Sequence, residues 1–256
     1  MQGTGHNVLL IAGVDPSGGA GLLADVKTCM ACSAHGFGVA SANTVQNDGA
    51  FEALHWTDVQ TMEAQIKLLA ERYAWHSVKI GLVENDAVLK RIVALLLAIN
   101  PAVQIIWDPV VRASAGFAFH RWTIQSLRHL LPRLYLVTPN RDELFSITGQ
   151  KVLEDAVRTF GGECNLLVKT AKVNRDTVTD YLYQTNATNP LRFSQTILPG
   201  INGKHGSGCV LSTATAAGLA GGIPLPDAVE HAIALTRQFL LTSQTRTGLH
   251  YNLTQN

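Results

Sequence analysis

The sequence predicts a mainly parallel α/β fold with helices on both faces of a central sheet. Short apolar runs alternate repeatedly with longer segments of helical character, and each run is apolar nearly throughout, as strands covered on both faces should be. Glycine clusters stand where a strand or loop gives way to a helix. Strands are expected at 8–12, 38–45, 78–82, 103–108, 135–138 and 166–169. Helices are expected at 22–33, 61–75, 87–98, 123–131 and 141–148, with Thr57 and Gln60 forming a capping box ahead of the second. After Lys169 the rhythm changes. Segments 176–183 and 191–197 carry β-branched residues around a turn-like Asn-Ala-Thr-Asn-Pro, which predicts a hairpin at one end of the sheet. Two helices finish the chain, the first from about 207 and the second from Pro226 to Ser243. In such sheets ligands gather at the carboxyl ends of the strands.

The bulk numbers narrow the class. A chain of 256 residues with 46% hydrophobic and 15% charged residues reads as one well-buried domain over 1–256. Net charge is +1 and the basic residues are scattered singly, so neither a nucleic-acid patch nor a membrane-surface stripe is indicated. The start MQGTGHNVLL has no signal-peptide pattern, and the longest aliphatic run, 92–99, is far below the ~20 residues of a spanning helix. A cytoplasmic protein is expected. The 4 cysteines are too dispersed for a disulfide scaffold. Cys29 and Cys32 form a CxxC with no second ligand pair, so two core residues on one helix face is the expected account. His35 and His120 fit no ligand spacing, and the four tryptophans are expected in the core. Glu84 and Asp86 read as helix caps.

Two stretches carry chemistry. Lys204-His205-Gly206-Ser207-Gly208-Cys209 opens onto the small-residue run VLSTATAAGLAGG. A bare glycine-rich loop at a helix N-terminus gathers backbone N–H groups into an anion hole suited to a phosphoryl group in flight. Cys209 then lies in the first turn, where the helix field is expected to lower its pKa and make a thiolate available as proton acceptor. The same residues would also serve as a plain cap, with Ser207 capping and Cys209 a small buried hydrophobe. The second stretch, GVDPSGGAGLLADVKT from Gly13, follows the first strand and fits neither GxGxxG nor a Walker loop. Asp25 lies about one turn beyond its last glycine, either pointing at a ligand or stabilising the helix dipole.

With these two stretches stand, in order, Gln46-Asn47, Lys79-Ile80-Gly81-Leu82, Asp108-Pro109-Val110-Val111 with Ser114 and Gly116, Thr138-Pro139-Asn140 with Glu143, and Val168-Lys169. Over nearly the whole chain the set resembles the hydroxymethylpyrimidine and phosphomethylpyrimidine kinases of thiamine synthesis, in the ribokinase superfamily. The resemblance implies a ribokinase-like three-layer sandwich. It implies an ATP- and Mg²⁺-dependent transfer to 4-amino-5-hydroxymethyl-2-methylpyrimidine, with the monophosphate as a conditional second acceptor, and a homodimer. Gly13, Asp25, Gln46, Leu82 and Val110 match the pyrimidine pocket. Asp108, Asn140 and Glu143 match the positions around nucleotide phosphates and magnesium, with Asp108 and Glu143 as metal ligands. Lys169 and His205 match nucleotide contacts, Gly206, Ser207 and Gly208 the anion hole, and Cys209 the base.

The chain departs from that pattern in three places. Thr170-Ala171-Lys172 stands where relatives usually carry Gly-Gly-His. Gly203 and Lys204 occupy positions commonly Asn and Thr, and RTGLHYNLTQN replaces a glycine- and proline-rich ending. All three fall on the phosphate-donor side. A pyridoxal-type vitamin kinase, and a pyrimidine-binding module that has lost turnover, stay open as alternatives.

Overall fold

The structure, a computed structural model, describes residues 6–112, 116–117, 119, 122–198, 204–243 and 245–251. Ser114, His120 and Gly203 lie outside the described residues.

Nine strands form one sheet in the order β3-β2-β1-β4-β5-β6-β7-β8-β9. Its six-stranded parallel centre comprises β2 (Ala34–Gln46), β1 (His6–Val14), β4 (Ser77–Ile80), β5 (Gln104–Trp107), β6 (Leu136–Val137) and β7 (Asn165–Val173). The predicted hairpin is present as β8 (Thr177–Tyr183) and β9 (Leu191–Thr196), antiparallel beside β7. A second antiparallel edge was not expected: β3 (Phe51–Trp56) pairs with β2. Its turn was visible in Asn47-Asp48-Gly49, where the Asn47 side chain accepts from the amides of Gly49 and Ala50 at 2.8 Å each.

Alternation along β1 divides the core. Val8, Leu10 and Ala12 face the layer of α1 (Gly21–Ala31), α7 (Ser207–Ala220) and α8 (Leu225–Leu241). Leu9 and Ile11 face the layer that includes α2 (Val59–Ala70), α3 (Asp86–Ile99), α4 (Ile124–Leu127), α5 (Arg141–Thr148) and α6 (Leu153–Phe160). Strand order reverses between β1 and β4, where the connecting helices change face, so a crevice opens above the carboxyl ends of these two strands.

Local corrections concern caps and one helix. Asp58, not Thr57, caps α2 by accepting from the Thr61 amide, and Asn85, between Glu84 and Asp86, caps α3 by accepting from the Val88 amide. Helix α6 was missed, although Leu153, Val157 and Phe160 share one face and Gly161 ends it in the left-handed conformation. Cys29 is buried in the α1 layer; Trp75, Trp107 and Trp122 are core residues, whereas Trp56, on edge strand β3, is only partly buried. Among the described residues no helix is long and apolar enough to cross a membrane.

Candidate functional site

A cleft of ≈ 1150 Å³ lies over the carboxyl ends of β1, β4 and β5 and the head of α7. Gly13, Gln46, Leu82 and Val110 line one end; Asp108, Asn140, Glu143, Lys169 and the Gly206–Cys209 segment line the other. The expected residues are thus brought together, with one exception.

That exception is Asp25. Its carboxylate is fully buried and does not line the cleft. One oxygen accepts from Lys79 Nζ and the other from Thr213 Oγ1, each at 2.7 Å. The first glycine loop directs Asp25 at β4 and α7 because α1 packs against α7, and both of its oxygens face partners inside the core. Lys79, present in the sequence pattern but given no role there, does line the cleft. Burial works against its charge, yet Asp25 and the other nearby acidic groups outweigh this and push its pKa up. Its one signal was a charge inside an otherwise fully buried strand.

The Asp108 end of the cleft is a network of buried charge. Asp108 follows β5, and its Oδ1 accepts from Lys169 Nζ at 2.7 Å and from Thr138 Oγ1 at 3.1 Å. Ser212, on α7, donates to Oδ2 at 3.2 Å. Burial opposes the carboxylate, but Lys169 and Lys79 hold it below the ordinary range. Lys169 belongs to β7, whose first residues after the parallel pairing bring Lys169 N onto Pro139 O at 2.9 Å, next to α5. Asn140 and Glu143 form the capping box of α5: the Asn140 side chain accepts from the Glu143 amide at 2.9 Å and Glu143 Oε2 from the Asn140 amide at 2.7 Å. Burial, reinforced by Asp108 and relieved by Lys169, pushes Glu143 up to about 7.

The head of α7 has the expected form. Gly206 is its N-cap, with φ 82° and no side-chain cap, so Ser207 is not the cap; the Ser207 amide turns back onto Lys204 O at 3.3 Å, and no side chain caps the Gly208 and Cys209 amides that follow it. A side chain at Gly206 is excluded, since a Cβ there would meet Gly19 O at 2.0 Å. Cys209 corrects the expectation of a lowered pKa. The half-buried thiol receives the Gly21 amide and feels Lys79, but burial dominates and pushes it up to about 11. His205 Nε2 lies 2.8 Å from Asp15 Oδ2, and Asp15 accepts from the Ser17 and Ala20 amides, so the imidazole braces the β1–α1 loop.

On the cleft rim beside Lys169, Thr170 stands at φ 50° and its amide donates to Asp180 Oδ1 at 2.6 Å. A β-branched residue with positive φ is strained, and this is where the resembled family usually has glycine.

Known proteins resemble this chain along most of its length. A family model described as phosphomethylpyrimidine kinase matches residues 15–254. A hydroxymethylpyrimidine/phosphomethylpyrimidine kinase of Streptomyces coelicolor is 34% identical over 237 residues, covering 88% of this chain and 85% of that protein. Its namesake in Bacillus subtilis is 31% identical over 247 residues, covering 91% and 88%. Among solved structures, a phosphomethylpyrimidine kinase from Clostridium difficile superposes with a TM-score of 0.70 at 28% identity, over 91% of this chain and 98% of that one. A Staphylococcus aureus pyridoxal kinase in complex with ADP superposes with a TM-score of 0.83 at 22% identity, over 99% and 96%, a likeness of fold.

Proposed function

The chain belongs to the phosphomethylpyrimidine kinase family, and from that premise we propose that it transfers the γ-phosphoryl group of ATP to the hydroxymethyl arm of 4-amino-5-hydroxymethyl-2-methylpyrimidine, and then to the monophosphate so formed. The observation that carries this reading is a single cleft in which an uncapped helix head, the Lys169–Asp108 pair and the Gly13–Gln46–Leu82–Val110 pocket converge.

The roles follow from the chemistry of each group. Leu82 and Val110 sandwich the ring, while the Gln46 amide, both donor and acceptor, reads its aminopyrimidine edge. The Gly206–Gly208 amides and Lys169 hold the moving phosphoryl group in line with the acceptor oxygen. Asp108 and Glu143 suit Mg²⁺, an ion that takes one or two carboxylates plus phosphate oxygens and water; Glu143 Oε1 has no hydrogen-bond partner among the described residues. When bound, the ion neutralises charge on the phosphates. Asn140 orients Glu143 through the capping box.

Cys209 is assigned as the proton acceptor for the hydroxymethyl group. A thiol near about 11 is protonated at neutral pH, and each unit of the gap to pH 7 costs roughly 1.4 kcal/mol. The assignment therefore requires ligand binding to strengthen the positive field at the sulfur, where Lys79 already contributes. Cys209→Ala is expected to lose roughly 10²- to 10⁴-fold in turnover while pyrimidine binding, read by calorimetry, is retained. Near-normal turnover removes Cys209 from the role. The whole reading is tested by incubating the purified protein with ATP, Mg²⁺ and the hydroxymethylpyrimidine and following mono- and diphosphate by mass, with pyridoxal as competing acceptor. No phosphorylated pyrimidine overturns it; monophosphate alone restricts it to the first step.

A further inference from the structure

One of the sequence departures closes on the segment that leads into another. Lys204 precedes His205 and the Gly206 cap, and its side chain is buried, 5% exposed. Nζ donates to Ser243 O, to Ser243 Oγ at 2.8 Å and to Thr245 O at 2.8 Å, all in the segment that follows α8. Among the described residues no carboxylate pairs with it, and burial pulls it below the ordinary lysine value. Ser243 Oγ directs its own hydrogen at Thr247 O, 2.6 Å away, and so accepts from the lysine. Three acceptors need three N–H groups, which an ammonium has and a neutral amine lacks. Two carbonyl oxygens and a hydroxyl oxygen around a bare positive charge are the surroundings a desolvated monovalent cation takes.

The cage is joined to the head of α7. His205 N donates to Arg246 O at 2.8 Å, the His205 ring braces Asp15, and Gly206 is pressed against Gly19 O. Whatever fixes Ser243 and Thr245 to Thr247 therefore fixes the two residues that lead into the anion hole. We propose that Lys204 is a built-in monovalent cation: its ammonium holds the segment after α8 against the loop before α7, sets the α7 amides, and frees the protein from any need for a dissolved cation there. The effect on turnover rests on the kinase reading above; the clamp itself does not.

The test removes the ammonium and offers substitutes. Thermal unfolding of the ligand-free Lys204→Ala protein is followed in lithium, sodium, potassium, ammonium and tetramethylammonium chloride at constant ionic strength, beside wild type. Expected is a lowered midpoint that potassium and ammonium restore better than lithium or tetramethylammonium, with wild type indifferent to the cation. In turnover the variant should lose roughly 10- to 100-fold in kcat, recovered by the same two ions, with the pyrimidine KM little changed. Lys204→Met, whose chain still fills the cage, should stay unresponsive. A folded Lys204→Ala protein blind to every cation overturns the proposal, as do a wild type that selects among cations and a Met variant rescued as well as the Ala one. If Lys204→Ala does not fold in any of the salts, Lys204→Thr decides by the same criteria. Wild type without kinase activity but with the expected thermal pattern would sink the kinase reading and leave the clamp standing.

Discussion

At the proposed acceptor end of the cleft stand Gly13, Leu82 and Val110 with the Gln46 amide and, beside Gly81, a single charge, Lys79, already paired with the buried Asp25. At the donor end stand buried charges, Asp108 against Lys169 at 2.7 Å with Glu143 nearby, and the uncapped amides of α7. On the proposed reading the first end selects mainly by shape. The second works by electrostatics in a site shielded from water, where each charge depends on its partner. A small error therefore has different consequences at the two ends: at the acceptor end it costs affinity, at the donor end it strands a charge.

The sharpest way to break the contrast is Lys169→Met. It leaves Asp108, only 2% exposed, without its main cation, and kcat is expected to fall about 10³-fold with pyrimidine affinity unchanged by calorimetry. A matched loss of pyrimidine affinity would show that the ends are not separate. Gly13→Ala is the acceptor-side counterpart. Its Cβ would come within 3.1 Å of Leu82 Cδ2, a flexible contact, so the fold should tolerate it while the narrowed pocket raises the pyrimidine KM roughly tenfold at little change in kcat. A rise confined to the ATP KM would reassign Gly13 to the donor end.

Acid should separate the ends next. Glu143 titrates near 7, so nucleotide-dependent turnover should fall several-fold as pH drops below that value, and Glu143→Gln should flatten that limb of the profile. Stability moves the other way. Because burial raises the folded pKa above the ordinary 4.5, the folded state retains a proton that the unfolded chain releases, and this contribution is lost as pH rises from 4.5 to about 7. Thermal melts of Glu143→Gln across that range check the sign. The smallest effect is on the donor rim: Thr170→Gly relieves a positive φ at some cost in chain entropy, for a net gain of roughly 0.5–1 kcal/mol in denaturant unfolding. A loss instead would mean that the Asp180 bond to Thr170 holds the residue without strain.

The inner parallel strands β1, β4, β5 and β6 were legible because each is buried on both faces and so reads as a nearly unbroken apolar run; Val8 to Ile11 have no exposure at all. Edge strand β3 was not, since its residues alternate between partly buried and exposed and carry no such run. The head of α7 was visible in Gly206 and Gly208, because a bare backbone at a helix start has few other uses. The fate of Asp25 was hidden. Its partners Lys79 and Thr213 are 54 and 188 residues away, and spacing along one helix says nothing about which distant strand a carboxylate will face. The thiol was misjudged for a related reason: the helix field at Cys209 follows from local sequence, but the burial that outweighs it is a sum over α1, β4 and α7 packed together.

By itself the sequence determined the layered α/β architecture, the two glycine-rich loops and the residue types that surround the cleft. Local backbone preference and apolar periodicity act over a few residues, and they leave their mark in order along the chain. Only the tertiary structure decided which charges meet: that Asp25 is spent on Lys79, that Lys169 reaches Asp108, and that Lys204 closes on a segment about forty residues further along. Those pairings depend on distance in space, and burial sets their strength, because the same two charges attract weakly in water and strongly once water is excluded.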